Sequence, residues 1–134
     1  MKNATLILAA VFTLVLNSCS TCPLCSKATP KGKVEHIVLV WLKRPGNAAD
    51  RAALIACARK FQVEIKQIQH LSVGPAVPSD REIVDDSFDV GFVMRFNNKE
   101  DMTAYEKHPV HVDTVKQTLM PLAKKVQVYD IGCE

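Results

Sequence analysis

Seven consecutive residues, Tyr105-Glu106-Lys107-His108-Pro109-Val110-His111, gather one phenol and two imidazoles. A phenol stays protonated near neutral pH and donates a hydrogen bond, whereas an imidazole there gives or takes a proton. A Tyr and a His held in one space can therefore stabilise a developing oxyanion and remove a proton next to it. The same residues admit a metal reading. His108-x-x-His111 with His36 makes three nitrogen ligands, the count of a catalytic zinc site. Pro109 leaves the shared direction of His108 and His111 open, and no metal is assigned. A lone histidine in an apolar setting is more often a satisfied core residue, but three histidines and a tyrosine that converge favour a ligand pocket.

The elements that must position these groups follow from punctuation and periodicity. Asn97 or Asn98 caps a short helix over Lys99–Lys107, with Glu100 and Asp101 in the first turn, where the helix dipole favours acids. Pro109 disfavours helical geometry at His108 and suits the first position of a new helix. That second helix is predicted over Pro109–Lys125, with Val112, Val115, Leu119 and Leu122 on its stripe; Pro121 either kinks it or ends it early. Tyr105 then closes one helix, and His111 lies in the first turn of the next. The positive end of the helix dipole should keep His111 neutral. His108 also suits a capping role.

His36 comes from a predicted strand over Val34–Leu42. Its faces, Val34/His36/Val38/Val40/Leu42 and Glu35/Ile37/Leu39/Trp41, are both apolar, so both should be covered. Arg44-Pro45-Gly46 ends the strand, and Asn47 caps a helix over Ala48–Ile65 with a stripe of Leu54, Ala58, Phe61 and Ile65. Ile68–Val77 reads as an irregular strand with a Gly74-Pro75 break; Pro75 and Pro78 mark it as a sheet edge or as a strand that ends early. Ser79–Ser87 is a charged, solvated loop. Ser87–Phe96 is the clearest strand, with Phe88, Val90, Phe92, Met94 and Phe96 on one face, and Val126–Ile131 is the last. The order β-α-β-β-α-α-β matches an α+β, ferredoxin-like, four-stranded antiparallel sheet with helices on one face and its second crossover broken in two. The other face holds Ile37, Leu39 and Trp41, each worth roughly 1.5–3 kcal/mol when fully buried. A second copy of the same sheet is the simplest cover, so a homodimer through the sheet faces is expected.

The Y-x-x-H-P-x-H stretch, set ahead of a helix and a last strand, resembles the Dabb family of stress-responsive dimeric α/β-barrel domains. The resemblance runs from about Val34 to Ile131. It implies sheets that pair as a dimeric α/β barrel. The family includes plant polyketide cyclases whose catalytic Tyr and His match Tyr105 and His111. By that resemblance His111 is a general base and Tyr105 an oxyanion or substrate-positioning donor, and Val90 stands at a pocket position; His36 and His108, read from the residues themselves, are further ligand-binding candidates. The cyclases carry a further His where this chain has Val90, and that departure speaks against cyclase chemistry.

The 134 residues, 48% hydrophobic and 23% charged, suit one globular domain at 34–134 behind a short leader. Residues 1–18 read as an export signal: Lys2, then an uncharged run from Ala4 to Leu16 that is short for a membrane span. Leu16-Asn17-Ser18-Cys19 resembles a bacterial lipobox. That resemblance implies cleavage before Cys19, acylation of Cys19, and a lipid-anchored protein of the cell envelope, the outer membrane favoured over the inner. Residues 19–33 form a tether too poor in large apolar residues to bury a core. Cys22 and Cys25 lie in it, in a compartment that permits disulfides; a local bridge and free thiols both fit, and the pairing with Cys57 and Cys133 stays open. Net charge is +3 with no basic run longer than two, which excludes the electrostatic footprint of a nucleic-acid binder. No cofactor motif is found. Three functions fit: a lipid-anchored module binding a small apolar or aromatic ligand between sheet and helices, an acid–base enzyme on a carbonyl compound, and a structural envelope protein. The first is favoured.

Overall fold

A computed structural model describes residues 31–134; the expected export signal, Cys19 and the Cys22/Cys25 pair lie outside the described residues. The elements are β1 (Val34–Leu42), α1 (Ala48–Glu64), β2 (His70–Gly74), β3 (Val90–Phe96), α2 (Lys99–Glu106), α3 (Pro109–Thr114), a π-helical turn (Val115–Leu119), α4 (Met120–Leu122) and β4 (Ala123–Gly132). The strands form one antiparallel sheet in the order β2-β3-β1-β4. This is the ferredoxin-like arrangement, with β2 at an edge as its proline-bounded sequence requires.

The even-numbered residues of β1 face the helices. Val34, His36, Val38, Val40 and Leu42 are all buried, and Val90, Phe92, Met94 and Phe96 of β3 continue the same layer. Across it lies α1. The Asn47 side chain accepts the Asp50 N–H at 3.0 Å, and Leu54, Ala58, Phe61 and Ile65 form the expected core-facing stripe. Asp50, itself buried, is held by Arg44, whose Nε donates at 2.9 Å. Asn98, of the two asparagines, caps α2 by accepting the Asp101 N–H at 2.8 Å.

Several boundaries differ from the sequence reading, and the largest differences have local reasons. β3 starts at Val90 rather than Ser87. The Asp89 carboxylate there turns aside to accept the N–H groups of Leu42 at 2.8 Å and of Gly46 at 2.6 Å, tying β3 to the end of β1. Outside the strand, alternation no longer governs Phe88, which leaves the face of Val90. Its ring packs edge-on to Trp41, with centroids 6.4 Å apart, and covers Gly91, where a Cβ would lie 3.1 Å from it. Gly91 is what lets that ring approach.

β2 runs from His70 and stops at Gly74, at the Gly74-Pro75 break, short of Val77. The last helix ends at Leu122, short of Lys125, so β4 begins at Ala123. Pro121 accounts for this: it lacks an N–H and its ring crowds the carbonyl four residues back. The helix widens just before it, where the Met120 N–H bonds the Val115 carbonyl in a π-type turn. Lys43 then closes the helix end. Its N–H donates to the Leu122 carbonyl at 2.9 Å, and its Nζ to the Pro121 carbonyl at 2.8 Å.

Candidate functional site

The second crossover leaves part of the β1–β4 half of the sheet uncovered, and a cavity of about 420 Å³ lies beneath it. Its floor is Val38, Phe92, Met94, Val126 and Val128 from the sheet; its wall is Phe61 of α1 with Val115, Leu119 and Met120 of the widened helix. π-Type turns often accompany functional sites. Here the turn supplies two of the three wall residues that come from the second crossover.

Three of the residues singled out by sequence line this cavity: His36, Tyr105 and His111. Their rings are neighbours. The Tyr105 and His111 centroids are 4.4 Å apart, and those of His36 and Tyr105 are 5.8 Å apart. Phe61 lies beside both Tyr105 and His111, at 6.0 and 5.6 Å. The other two do not line it. Val90 is fully buried in the core. His108 is the N-cap of α3, where its Nδ1 accepts the Val110 N–H at 3.3 Å. It is Pro109 that turns His108 away from its neighbour, so the two imidazoles of the heptapeptide serve different purposes. Among the described residues no three His, Cys, Asp or Glu side chains are grouped to hold a metal ion.

Hydrogen bonds assign the ring nitrogens. His111 Nδ1 lies 2.9 Å from the Glu106 carbonyl oxygen, which can only accept, so Nδ1 carries the proton. Burial lowers the His111 pKa, against a smaller upward pull from the Glu106 carbonyl, and the nearby His36 and His108 rings lower it further. The imidazole is therefore neutral and its Nε2 holds a bare lone pair. Neutrality was expected from the helix end; desolvation is its main cause. His36 Nδ1 donates to the Asp130 Oδ1 at 2.6 Å. Tyr105 is the largest of the fully buried side chains, and burial, with the charge of Glu106, raises its pKa well above the ordinary phenol range. Its hydroxyl stays a donor, and it has no hydrogen-bond partner among the described residues. A base, a donor and a carboxylate-backed imidazole thus share one largely apolar space.

Asp130 escaped the sequence reading, though a signal existed. Val126, Val128 and Asp130 alternate along β4, and the register sets Asp130 directly opposite His36. The backbone carbonyl of Glu106, which fixes the His111 tautomer, left no such mark. Cys57 and Cys133 are both half-buried and, among the described residues, both are free thiols. The carboxylates of the 79–87 loop shape turns: Asp86 accepts the Ser79 N–H and Asp85 the Ser87 N–H and hydroxyl.

The fold and the cavity define a ferredoxin-like α+β domain with a ligand-sized space between sheet and helices. The family model for the stress responsive A/B barrel domain, Dabb, matches residues 34–133, and the chain belongs to that family. A stress-response A/B barrel domain-containing protein of Arabidopsis thaliana is 27% identical over 106 residues, which are 78% of this chain and 39% of the relative. This chain thus spans about two fifths of that relative's length. Two solved structures share the fold. A dimeric ferredoxin-like protein from Bacteroides fragilis is 21% identical, with a TM-score of 0.62 over 76% of this chain and 97% of its own. A hydroxynitrile lyase from Passiflora edulis is 19% identical, with a TM-score of 0.68 over 78% of this chain and 96% of its own.

Proposed function

We propose that this chain is a lipid-anchored envelope protein whose Dabb domain, as a homodimer, holds a small apolar or aromatic ligand in the cavity beside Tyr105 and His111. The observation that carries this reading is the cavity itself, apolar on most sides, with the His111 ring and a Tyr105 hydroxyl that has no partner among the described residues on its lining. A polar cluster that merely satisfied itself would have closed on its own hydrogen bonds. Thermal-shift screening against small aromatic and carbonyl compounds tests it. Hits are expected to raise the melting temperature, and His111→Ala is expected to abolish the rise; a hit that survives that substitution unchanged removes the site from this role.

The dimer reading rests on the opposite sheet face. Ile37, Leu39 and Trp41 are only half-buried there, and Val93, Tyr129 and Ile131 are exposed. A dimeric relative of the same fold supports the pairing. Sedimentation at micromolar concentration checks it, and a monomer would sink it. The anchor reading rests on the Leu16-Asn17-Ser18-Cys19 stretch. Cys19→Ser is expected to abolish labelling by a fatty-acid probe and to free the protein from the membrane fraction.

A second reading, an acid–base enzyme on a carbonyl compound, is favoured by the assigned tautomers. His111 Nε2 is free to take a proton, and Tyr105 can donate to the oxyanion that forms. The fold is also that of a hydroxynitrile lyase. Turnover of a bound carbonyl compound that vanishes in both Tyr105→Phe and His111→Ala would establish this reading over simple binding.

A further inference from the structure

The charge of the cavity narrows its ligand beyond size and apolarity. Among the described residues, no Lys or Arg lines it. The nearest candidates for positive charge are its two imidazoles, and neither is available. His111 is held neutral, with its one N–H already given to the Glu106 carbonyl. Any positive charge on His36 faces the Asp130 carboxylate 2.6 Å away, so that pair is at most neutral overall. Glu106, also on the lining, adds negative charge. An anion entering this space would leave water for apolar walls and a carboxylate, with no cation to replace its hydration. A cation fares little better, because Asp130 is engaged by His36 and Glu106 is exposed to solvent.

Among the described residues, the unengaged polar groups on the lining include a donor, the Tyr105 hydroxyl, and an acceptor, the His111 Nε2; Asp130 engages only Nδ1 of His36, which leaves the Nε2 of that ring as well. Together they complement a carbonyl or hydroxyl group. Size sets the rest. An apolar cavity of about 150 Å³ accepts benzene, and this one is about 420 Å³.

We infer that the cavity selects an uncharged ligand of one or two rings that carries a carbonyl or hydroxyl group, and rejects carboxylates, phosphate esters and ammonium compounds. The inference rests on the proposal that this cavity is a ligand site, and it separates metabolite classes that apolarity alone does not.

The test is a titration of the full chain, labelled with ¹⁵N in its histidine rings, against probes of one skeleton: acetophenone, 1-phenylethanol, benzoate, phenyl phosphate and benzylamine. Acetophenone and 1-phenylethanol are expected to shift the His36 and His111 ring signals, and benzoate, phenyl phosphate and benzylamine to bind about tenfold or more weakly because an ion here goes unpaired. Val128→Lys, which sets a cation at the half-exposed rim, is expected to narrow the gap between benzoate and acetophenone. If benzoate, phenyl phosphate or benzylamine shifts the same signals at concentrations equal to or below those of acetophenone, the charge selection is wrong and the site stands. If no probe moves either histidine, the site falls, and the inference with it.

Discussion

The first crossover over the sheet is a single helix of 17 residues, while the second is cut at Pro109 and widened before Pro121. Both must cover the same kind of apolar surface, and they do so with different completeness. Leu54, Ala58 and Ile65 of the first are fully buried. Val115, Leu119 and Met120 of the second stand over an open space, and Met120 is 56% exposed. A continuous stripe at helical spacing fills its groove. A stripe interrupted by two prolines cannot keep one register, and the gap it leaves becomes the cavity. The candidate site residues cluster at that gap: Tyr105 lies near the end of one fragment and His111 near the start of the next.

Core truncation should show this contrast most strongly. Leu54→Ala is expected to cost about 2–5 kcal/mol in urea unfolding, because the site is fully packed and collapses poorly. Leu119→Ala, already beside empty space, should cost clearly less; equal losses would mean that the second crossover is packed as tightly as the first.

Next in size is the polar pair across β1 and β4. Asp130→Asn is expected to cost about 1 kcal/mol, since the bond to His36 is charge-assisted but the carboxylate is partly solvated. Asparagine keeps an acceptor, so the His36 Nδ1–H should persist in the ring ¹⁵N spectrum; its loss would mean that the carboxylate charge alone sets the tautomer.

A smaller effect follows from His111. Its folded pKa lies below the ordinary imidazole value of 6.5, so between that value and the folded pKa the unfolded chain binds more protons than the native one. Stability should therefore fall as pH drops through this window and level off once the folded ring protonates. His111→Asn, which can still donate to the Glu106 carbonyl, should flatten that part of a plot of Tm against pH. An unchanged slope would place the titration elsewhere.

Tyr105→Phe should have the smallest effect on stability, within about 0.5 kcal/mol, because the hydroxyl has no partner to lose among the described residues. Stability of the native state above pH 10 should improve relative to the parent, since the buried phenol resists ionisation while the unfolded one does not. Ligand binding should weaken in the same variant. A large loss of stability would reveal a structural role for the hydroxyl.

Element type and order were legible because each rests on local chemistry. Alternation marked β1, the asparagines marked the helix starts, and Pro75 and Pro109 marked breaks. Phe88 was misplaced because alternation holds only while the strand lasts, and Asp89 ends it. His108 was readable as a cap, but not as excluded from the cavity. By itself, the sequence determined the βαββααβ order, the two apolar faces of β1 and the presence of a phenol and imidazoles near one helix break, since these depend on neighbours along the chain. Only the tertiary structure decided the rest. The β1–β4 register brought Asp130 to His36 across 94 positions of chain. The π-type turn opened a cavity at the second crossover, and packing made His111 a neutral base and Tyr105 a lasting donor. Each of those depends on groups distant in sequence meeting away from water, where burial and pairing outweigh intrinsic preference.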